Sequence, residues 1–424
     1  MRVIKLAFYI ISTILLIIFF ISSQSDDKNI KECNTKNDSY ITSDGLLFEK
    51  FDNISDWKTG TDVSNADSIF GIKEGNLSIT LYGIGNTAPH MTKNIYMNFS
   101  NITNIVYWVY ISNSSNIKYL TLYISSTKDF TNYFSSSSEV TDGWNQIVIG
   151  KSDFIRHENE SWNNVMTRIR FKMNLYENGS SSASFKNLKY NIEGRAKVVI
   201  TFDDGFQSVF DNARPIMEKN DQKGVVFIIT DYPDNEKYSG YMNTSKITEL
   251  YNSGWDISSH TRSHRDLTSL SEKEMENELN SSYNWLANHG FGTSAIFIAY
   301  PYGKYNDRVI SYTKSLYKMG RTIVNGKNQG HISTNNDDML YKTKSINIVN
   351  TTTVGNIENY INDTIEQKGL LVLTFHQIIE DANTPIRYNI SDFEEISNFL
   401  KNRNSDIDIV TFSEYYNGKC TNRQ

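Results

Sequence analysis

From Lys197 to Phe412 the chain repeats one unit, a short apolar run followed by a stretch long enough for a helix. The runs are KVVITF (197–202), KGVVFIIT (223–230), WDISS (255–259), AIFIAY (295–300), RTIVN (321–325), LLVLTF (370–375) and IDIVTF (407–412). Runs apolar on both faces suit strands covered on both sides, and an intervening helix lets successive strands lie parallel. Helical stretches are predicted through FDNARPIMEKN and around SKITELYNSG, after the capping box Ser271–Glu274, near 306–318 ending at Gly320, and near 353–366 and 391–402. The fold class that follows is α/β, a distorted (β/α) barrel, in which chemistry gathers at the carboxyl ends of the strands.

The first half of the chain has another texture. Between 46 and 193 short alternating runs rich in aromatic and β-branched residues follow one another, among them NLSITLYG (76–83), NIVYWVYIS (104–112) and TRIRFKMNLY (167–176). This spacing predicts an all-β, jelly-roll-like antiparallel sandwich. Trp57, Trp108, Trp144 and Trp162 are candidates for a sugar-stacking platform, although a sandwich core is the expected home of most of them.

Arg2 and Lys5 precede an uncharged run from Leu6 to Ile21, which makes 1–22 a signal peptide or a membrane anchor, with 23–45 a polar linker. The expected location is therefore extracellular, either membrane-anchored or secreted. Thirteen Asn-x-Ser/Thr sequons between Asn37 and Asn389 permit a glycoprotein. A net charge of −6 with no Lys/Arg run argues against a nucleic-acid partner. Two cysteines, Cys33 and Cys420, exclude a thiolate zinc site and leave open whether they pair.

Four stretches at strand ends carry candidate chemistry. Asp203-Asp204-Gly205 places adjacent carboxylates after a buried-looking strand, a costly arrangement unless a cation or a shared proton offsets the repulsion. His260 and His264 lie four apart after WDISS, and one carboxylate with two imidazoles makes a three-ligand zinc site with an open position. Pro301-Tyr302-Gly303 is a turn, and His376 ends an apolar strand.

In combination, TFDDG, SHTRSH, PYG and the strand ending in His376 resemble the polysaccharide deacetylases of carbohydrate esterase family 4, the NodB homology domain. The similarity covers 196–418 and is preceded by a region like a carbohydrate-binding module. The resemblance implies that Asp204, His260 and His264 bind Zn2+ or another divalent first-row metal. It implies that Asp203 is the general base on the attacking water, that the backbone N–H of Tyr302 donates to the oxyanion, and that His376 is the general acid. Pro301, Leu373 and Arg321 are the implied substrate-side residues, with Leu373 and Phe375 around the acetyl methyl. The family's third motif has an arginine where this chain has Ala299, and Arg321 is a candidate to supply that guanidinium from a neighbouring strand. The implied reaction is removal of N-acetyl groups from an N-acetylated polysaccharide. O-acetyl ester cleavage and an inactive glycan-binding surface protein are the alternatives.

Overall fold

The computed structural model describes residues 46–62, 69–75, 78–85, 87–191, 195–323 and 340–417. The leader and linker expected over 1–45, Cys33, Cys420 and the sequons at Asn37 and Asn76 lie outside these residues. Among the described residues no helix is long and apolar enough to cross a membrane.

Residues 46–190 form two antiparallel sheets packed face to face. One runs Ile69–Gly75, Ser78–Ile84, Ser180–Tyr190, Asn104–Ile111, Gly143–Gly150, with Leu46–Glu49 added along Ser180–Tyr190. The other runs Ile155–His157, Tyr133–Ser138, Ile117–Ser125, Val165–Leu175, Pro89–Asn98, Trp57–Thr61. Every second residue points inward, so Tyr107, Val109 and Ile111 of one sheet meet Ile169, Phe171 and Met173 of the other. Tyr107 and Phe171 pack edge to face at 4.9 Å. The same parity sorts the tryptophans. Trp57 is buried and stacks on Phe51, and Trp162 lies flat on Phe134 at 3.7 Å. Trp108 and Trp144 occupy outward positions, Trp144 edge-on to half-exposed Tyr110.

The second half is a parallel barrel. Its strands are β1 (Ala196–Phe202), β2 (Val225–Ile228), β3 (Asp256–Ser259), β4 (Phe297–Ala299), β5 (Met319–Arg321), β6 (Ile346–Asn347), β7 (Leu370–Phe375) and β8 (Ile407–Ile409), and the main path runs β5-β4-β3-β2-β1-β7-β6. An isolated parallel bridge from Arg321 to Thr343 links β5 to the chain leading into β6. The distortion lies at β1, which pairs with β8 along Ala196–Val198 and with β2 only at Thr201 and Phe202.

Helices α1 (Arg214–Lys219), α2 (Thr244–Asn252), α3 (Glu272–Asn288), α4 (Asp307–Leu316), α5 (Val354–Gln367) and α6 (Ile390–Asn402) join the strands. A π-helical turn, Val209–Ala213, precedes α1. The predicted helix ending at Gly320 stops earlier, at Leu316, because Tyr317 is already extended. Gly320 instead sits within β5, where a Cβ would stand 2.3 Å from the Tyr300 hydroxyl oxygen.

Strand parity also corrects one site expectation. Val198, Ile200 and Phe202 of β1, with Leu371, Leu373 and Phe375 of β7, pack on Ile357 and Ile361 of α5 and Phe393 and Ile396 of α6. Val199 and Val372, the intervening residues, share the barrel interior with Phe227, Phe297 and Met319. Leu373 and Phe375 therefore face the helix layer and do not line a substrate pocket.

Candidate active site

The site starts where β1 runs out. Asp203 N–H still donates to the Phe375 carbonyl at 2.9 Å, so Asp203 keeps the inward direction of Val199 and Thr201. Asp204 then takes a left-handed backbone (φ 71°), followed by Gly205 at φ 84°. That reversal aims Asp204 at His260 and His264, while Asp203, whose Oδ2 also lies 3.7 Å from His260 Nε2, accepts its hydrogen bonds from another partner. Thr261, His264 and Tyr302 are also at positive φ. Each such non-glycine residue costs roughly 1–2 kcal/mol, and strain collected at one place is retained where the surroundings enforce a functional geometry.

Asp204 Oδ1 lies 3.5 Å from His260 Nε2 and 3.7 Å from His264 Nε2, and one ligand atom from each of the three residues falls within 4.8 Å of the others. Ligands about 2.0–2.1 Å from a tetrahedral ion are spaced roughly 3.3–3.5 Å apart, so the set fits a small divalent metal. His260 follows β3, its N–H bonded to the Ile228 carbonyl at 2.9 Å. Its Nδ1 lies 2.8 Å from the Ala299 carbonyl oxygen, which only accepts. The ring proton therefore sits on Nδ1 and leaves the Nε2 lone pair for a metal.

Burial pushes His260 down to about 3 and also lowers His264, so both rings are neutral, as ligation requires. Burial, and then the charge of Asp203, pushes Asp204 up to about 7. A carboxyl under that pressure is stabilised in its ionised form by a cation placed against it.

The His260–His264 loop is held from α3, through a residue that motif reading missed. Ser263 N–H donates to Glu278 Oε2 at 2.8 Å, the Ser263 hydroxyl donates to Glu278 Oε1, and His264 N–H donates to Thr261 Oγ1 at 3.1 Å. Glu278 is buried on the face that carries Met275, Leu279 and Ser282. A carboxylate at a core-facing helix position was the available sequence signal.

Asp203 belongs to a second constellation. It is 2% exposed, and both its oxygens accept from Nη2 of the fully buried Arg321, Oδ2 at 2.6 Å. Burial alone would raise Asp203; the Arg321 guanidinium, followed by His260 and His376, more than offsets it and holds the carboxyl below the usual carboxylate range. Arg321 on β5 is the register partner of Ala299 on β4, so the guanidinium enters one strand over from the expected motif position. It stands behind Asp203 and is not a substrate-side residue.

Pro301 is buried in the 3-10 turn Pro301–Gly303, which likewise makes it a shaping residue rather than a contact surface. Tyr302 stands at the rim, 57% exposed, its ring centroid 4.7 Å from that of His264. His376, after β7, is partly buried, its Nδ1 lacks a hydrogen-bond partner among the described residues, and burial lowers its pKa against the nearby charge of Asp203.

A parallel barrel that brings a carboxylate with two imidazoles, an arginine-held carboxylate and a further histidine to one mouth has the make-up of a metal-assisted hydrolase. Residues 191–319, within the barrel portion of the chain, match the family model for polysaccharide deacetylase. The putative polysaccharide deacetylase YxkH of Bacillus subtilis is 27% identical over 158 residues, 36% of this chain and 55% of that protein. The poly-beta-1,6-N-acetyl-D-glucosamine N-deacetylase of Staphylococcus aureus is 30% identical over 172 residues, 36% of this chain and 59% of that protein. The chain thus spans a little over half the length of these curated relatives. Among solved structures, the Xyl-CE4 domain of a multidomain xylanase from the hindgut metagenome of Trinervitermes trinervoides aligns with a TM-score of 0.38 at 20% identity, over 55% of this chain and 95% of that one.

Proposed function

We propose that this chain is a metal-dependent hydrolase that removes N-acetyl groups from an N-acetylated polysaccharide outside the cell, with the segment 1–22 as its export signal or membrane tether. The observation that carries the reading is the division of two adjacent carboxylates. Asp204 turns to His260 and His264, while Asp203 is clamped by Arg321.

Asp204, His260 and His264 hold the metal, Zn2+ or another divalent first-row ion, which supplies Lewis-acid polarisation of the acetyl carbonyl and acidifies water. Asp203, kept ionised by Arg321, accepts the proton of the attacking water. The backbone N–H of Tyr302, presented by the Pro301–Gly303 turn, donates to the oxyanion that develops on the acetyl group. His376 delivers a proton to the departing sugar amine from its imidazolium form, which burial disfavours and the charge of Asp203 favours, and the proton that Asp203 takes from water restores the balance.

The test is acetate release from β-linked N-acetylglucosamine oligomers by the purified chain. It is run metal-loaded, after chelation, and as Asp203→Asn, with O-acetylated xylan in parallel. The reading predicts amide cleavage that chelation abolishes, metal restores and Asp203→Asn lowers by about 10²–10⁴-fold. Release only from the acetylated xylan would make the chain an esterase. No release from either polymer by a metal-loaded chain would overturn hydrolysis altogether.

A further inference from the structure

Strand β5 ends beside the Pro301–Gly303 turn and takes hold of it on both sides of Tyr302. Ahead of Tyr302, the Tyr300 N–H donates to the Arg321 carbonyl at 3.0 Å. Behind it, the buried Thr322 hydroxyl donates to the Gly303 carbonyl at 2.7 Å. The turn is also closed on itself, by Gly303 N–H to the Tyr300 carbonyl at 2.9 Å and Lys304 N–H to that of Pro301 at 3.1 Å. Gly303, at φ 68°, lies so close to the end of β5 that a Cβ there would stand 2.6 Å from Ile323 N. Thr322 is itself fixed. Its N–H donates to the Thr343 carbonyl at 2.8 Å, and its own carbonyl accepts from the Ser345 hydroxyl at 2.9 Å.

A buried threonine hydroxyl at a strand end commonly bonds the nearest carbonyl and does no more than satisfy itself. The bond from Thr322 has a particular target. Tyr302 is held in a left-handed conformation (φ 59°, ψ 12°), which a non-glycine residue leaves when its neighbours allow it. Rotation about that φ swings the Pro301–Tyr302 peptide plane and with it the direction of the Tyr302 N–H. Fixing Tyr300 on one side and Gly303 on the other removes that rotation. One residue before Thr322, the Arg321 guanidinium bonds Asp203.

We propose that Thr322 is a positioning residue for the oxyanion donor. Its hydroxyl holds the Pro301–Gly303 turn so that the Tyr302 N–H keeps a fixed place relative to Asp203, both being anchored to the end of β5. A donor aimed in advance at developing charge needs no reorganisation during the reaction, and a displacement of about 1 Å can cost roughly 10²-fold. The inference rests on the oxyanion role proposed for Tyr302.

The test compares Thr322→Val, which keeps the shape and removes the hydroxyl, with Thr322→Ser, which keeps the hydroxyl. Deacetylation of the β-linked N-acetylglucosamine hexamer by the metal-loaded chains is followed across pH. Calorimetry measures binding of the same oligomer carrying a methylphosphonamidate, a stable tetrahedral anion, in place of one acetamide. Thr322→Val should lower kcat at least about tenfold and weaken the tetrahedral analogue by a similar factor. KM, metal content and the acid limb of the pH profile stay where they are, and Thr322→Ser restores kcat. An unchanged kcat in Thr322→Val overturns the proposal. So does a fall that Thr322→Ser does not repair, or one accompanied by lost metal, since either would leave Thr322 a packing role alone. A shifted acid limb would show action through Arg321 and overturn it as well. A wild type that releases no acetate would overturn the hydrolase reading and this proposal together, whereas an active wild type indifferent to Thr322→Val overturns this proposal alone.

Discussion

Asp203 and Asp204 are neighbours in sequence whose carboxyls shift in opposite directions: burial and the charge of Asp203 push Asp204 up, while Arg321, which bonds Asp203, more than offsets the burial of that carboxyl. If Arg321 holds the base ionised, Arg321→Met lets burial dominate and the Asp203 carboxyl rises. A base with a raised pKa is ionised only at higher pH, so the acid limb of kcat/KM moves upward in pH. Activity near neutrality should fall at least about tenfold and recover partly in alkali. An acid limb that stays in place in this variant would remove Arg321 from the mechanism. Asp203, Asp204, His260, His264 and His376 were legible because each lies in a short motif that follows a strand. Arg321 was visible only as a candidate, since its partner is 118 positions away and register is not written in the sequence. Leu373 was misplaced although parity was available: if His376 points to the mouth, Thr374 shares its direction and Leu373 takes the other face.

At the scale of elements, α3 was readable from its capping box, and Ser271 and Glu274 do exchange the expected bonds. Its function was less visible, because Glu278 acts on the His260–His264 loop through tertiary contact. Glu278→Gln keeps the shape but puts an amide N–H where Ser263 offers its own donors. Outer-sphere changes of this kind cost about 10–100-fold in metal affinity, and calorimetric zinc titration should show a loss in that range with the fold intact by circular dichroism. Unchanged zinc affinity would confine Glu278 to a packing role. Strands with polar outward faces were the hardest to see. Pro89–Asn98 carries Lys93, bonded to Glu49 and Asp56, and its alternation is diluted by residues whose partners lie on other strands.

Across the whole molecule, the β-rich and barrel portions meet at the end of α5. Ser152 N–H donates to Glu366 Oε1 at 3.2 Å, Gln367 Nε2 to Asp153 Oδ2 at 2.7 Å, and Asn104 Nδ2 to the Glu366 carbonyl at 3.3 Å. A Cβ at Gly150 would stand 2.9 Å from Glu366 Cδ, so glycine permits this approach. Hydrogen bonds of this kind contribute about 1 kcal/mol each. Glu366→Ala with Gln367→Ala should therefore weaken the coupling by roughly 2–3 kcal/mol and split a single calorimetric unfolding transition into two. One unchanged transition would show that these contacts do not couple the two portions. The change from β-rich to alternating β/α texture was plain in the sequence, while this contact was not, because it joins positions more than 200 residues apart through polar side chains that look like ordinary surface.

In the proposed mechanism two adjacent aspartates divide the labour, one holding metal and the other moving a proton. Zinc titration of the wild type, Asp204→Ala and Asp203→Asn, each followed by an acetate-release assay, tests it most directly. One ion per chain is expected in the wild type and in Asp203→Asn and sharply weakened binding in Asp204→Ala, with full activity in the wild type alone and about 10²–10⁴-fold less in Asp203→Asn. Undiminished zinc binding in Asp204→Ala, or full activity in Asp203→Asn, would contradict it.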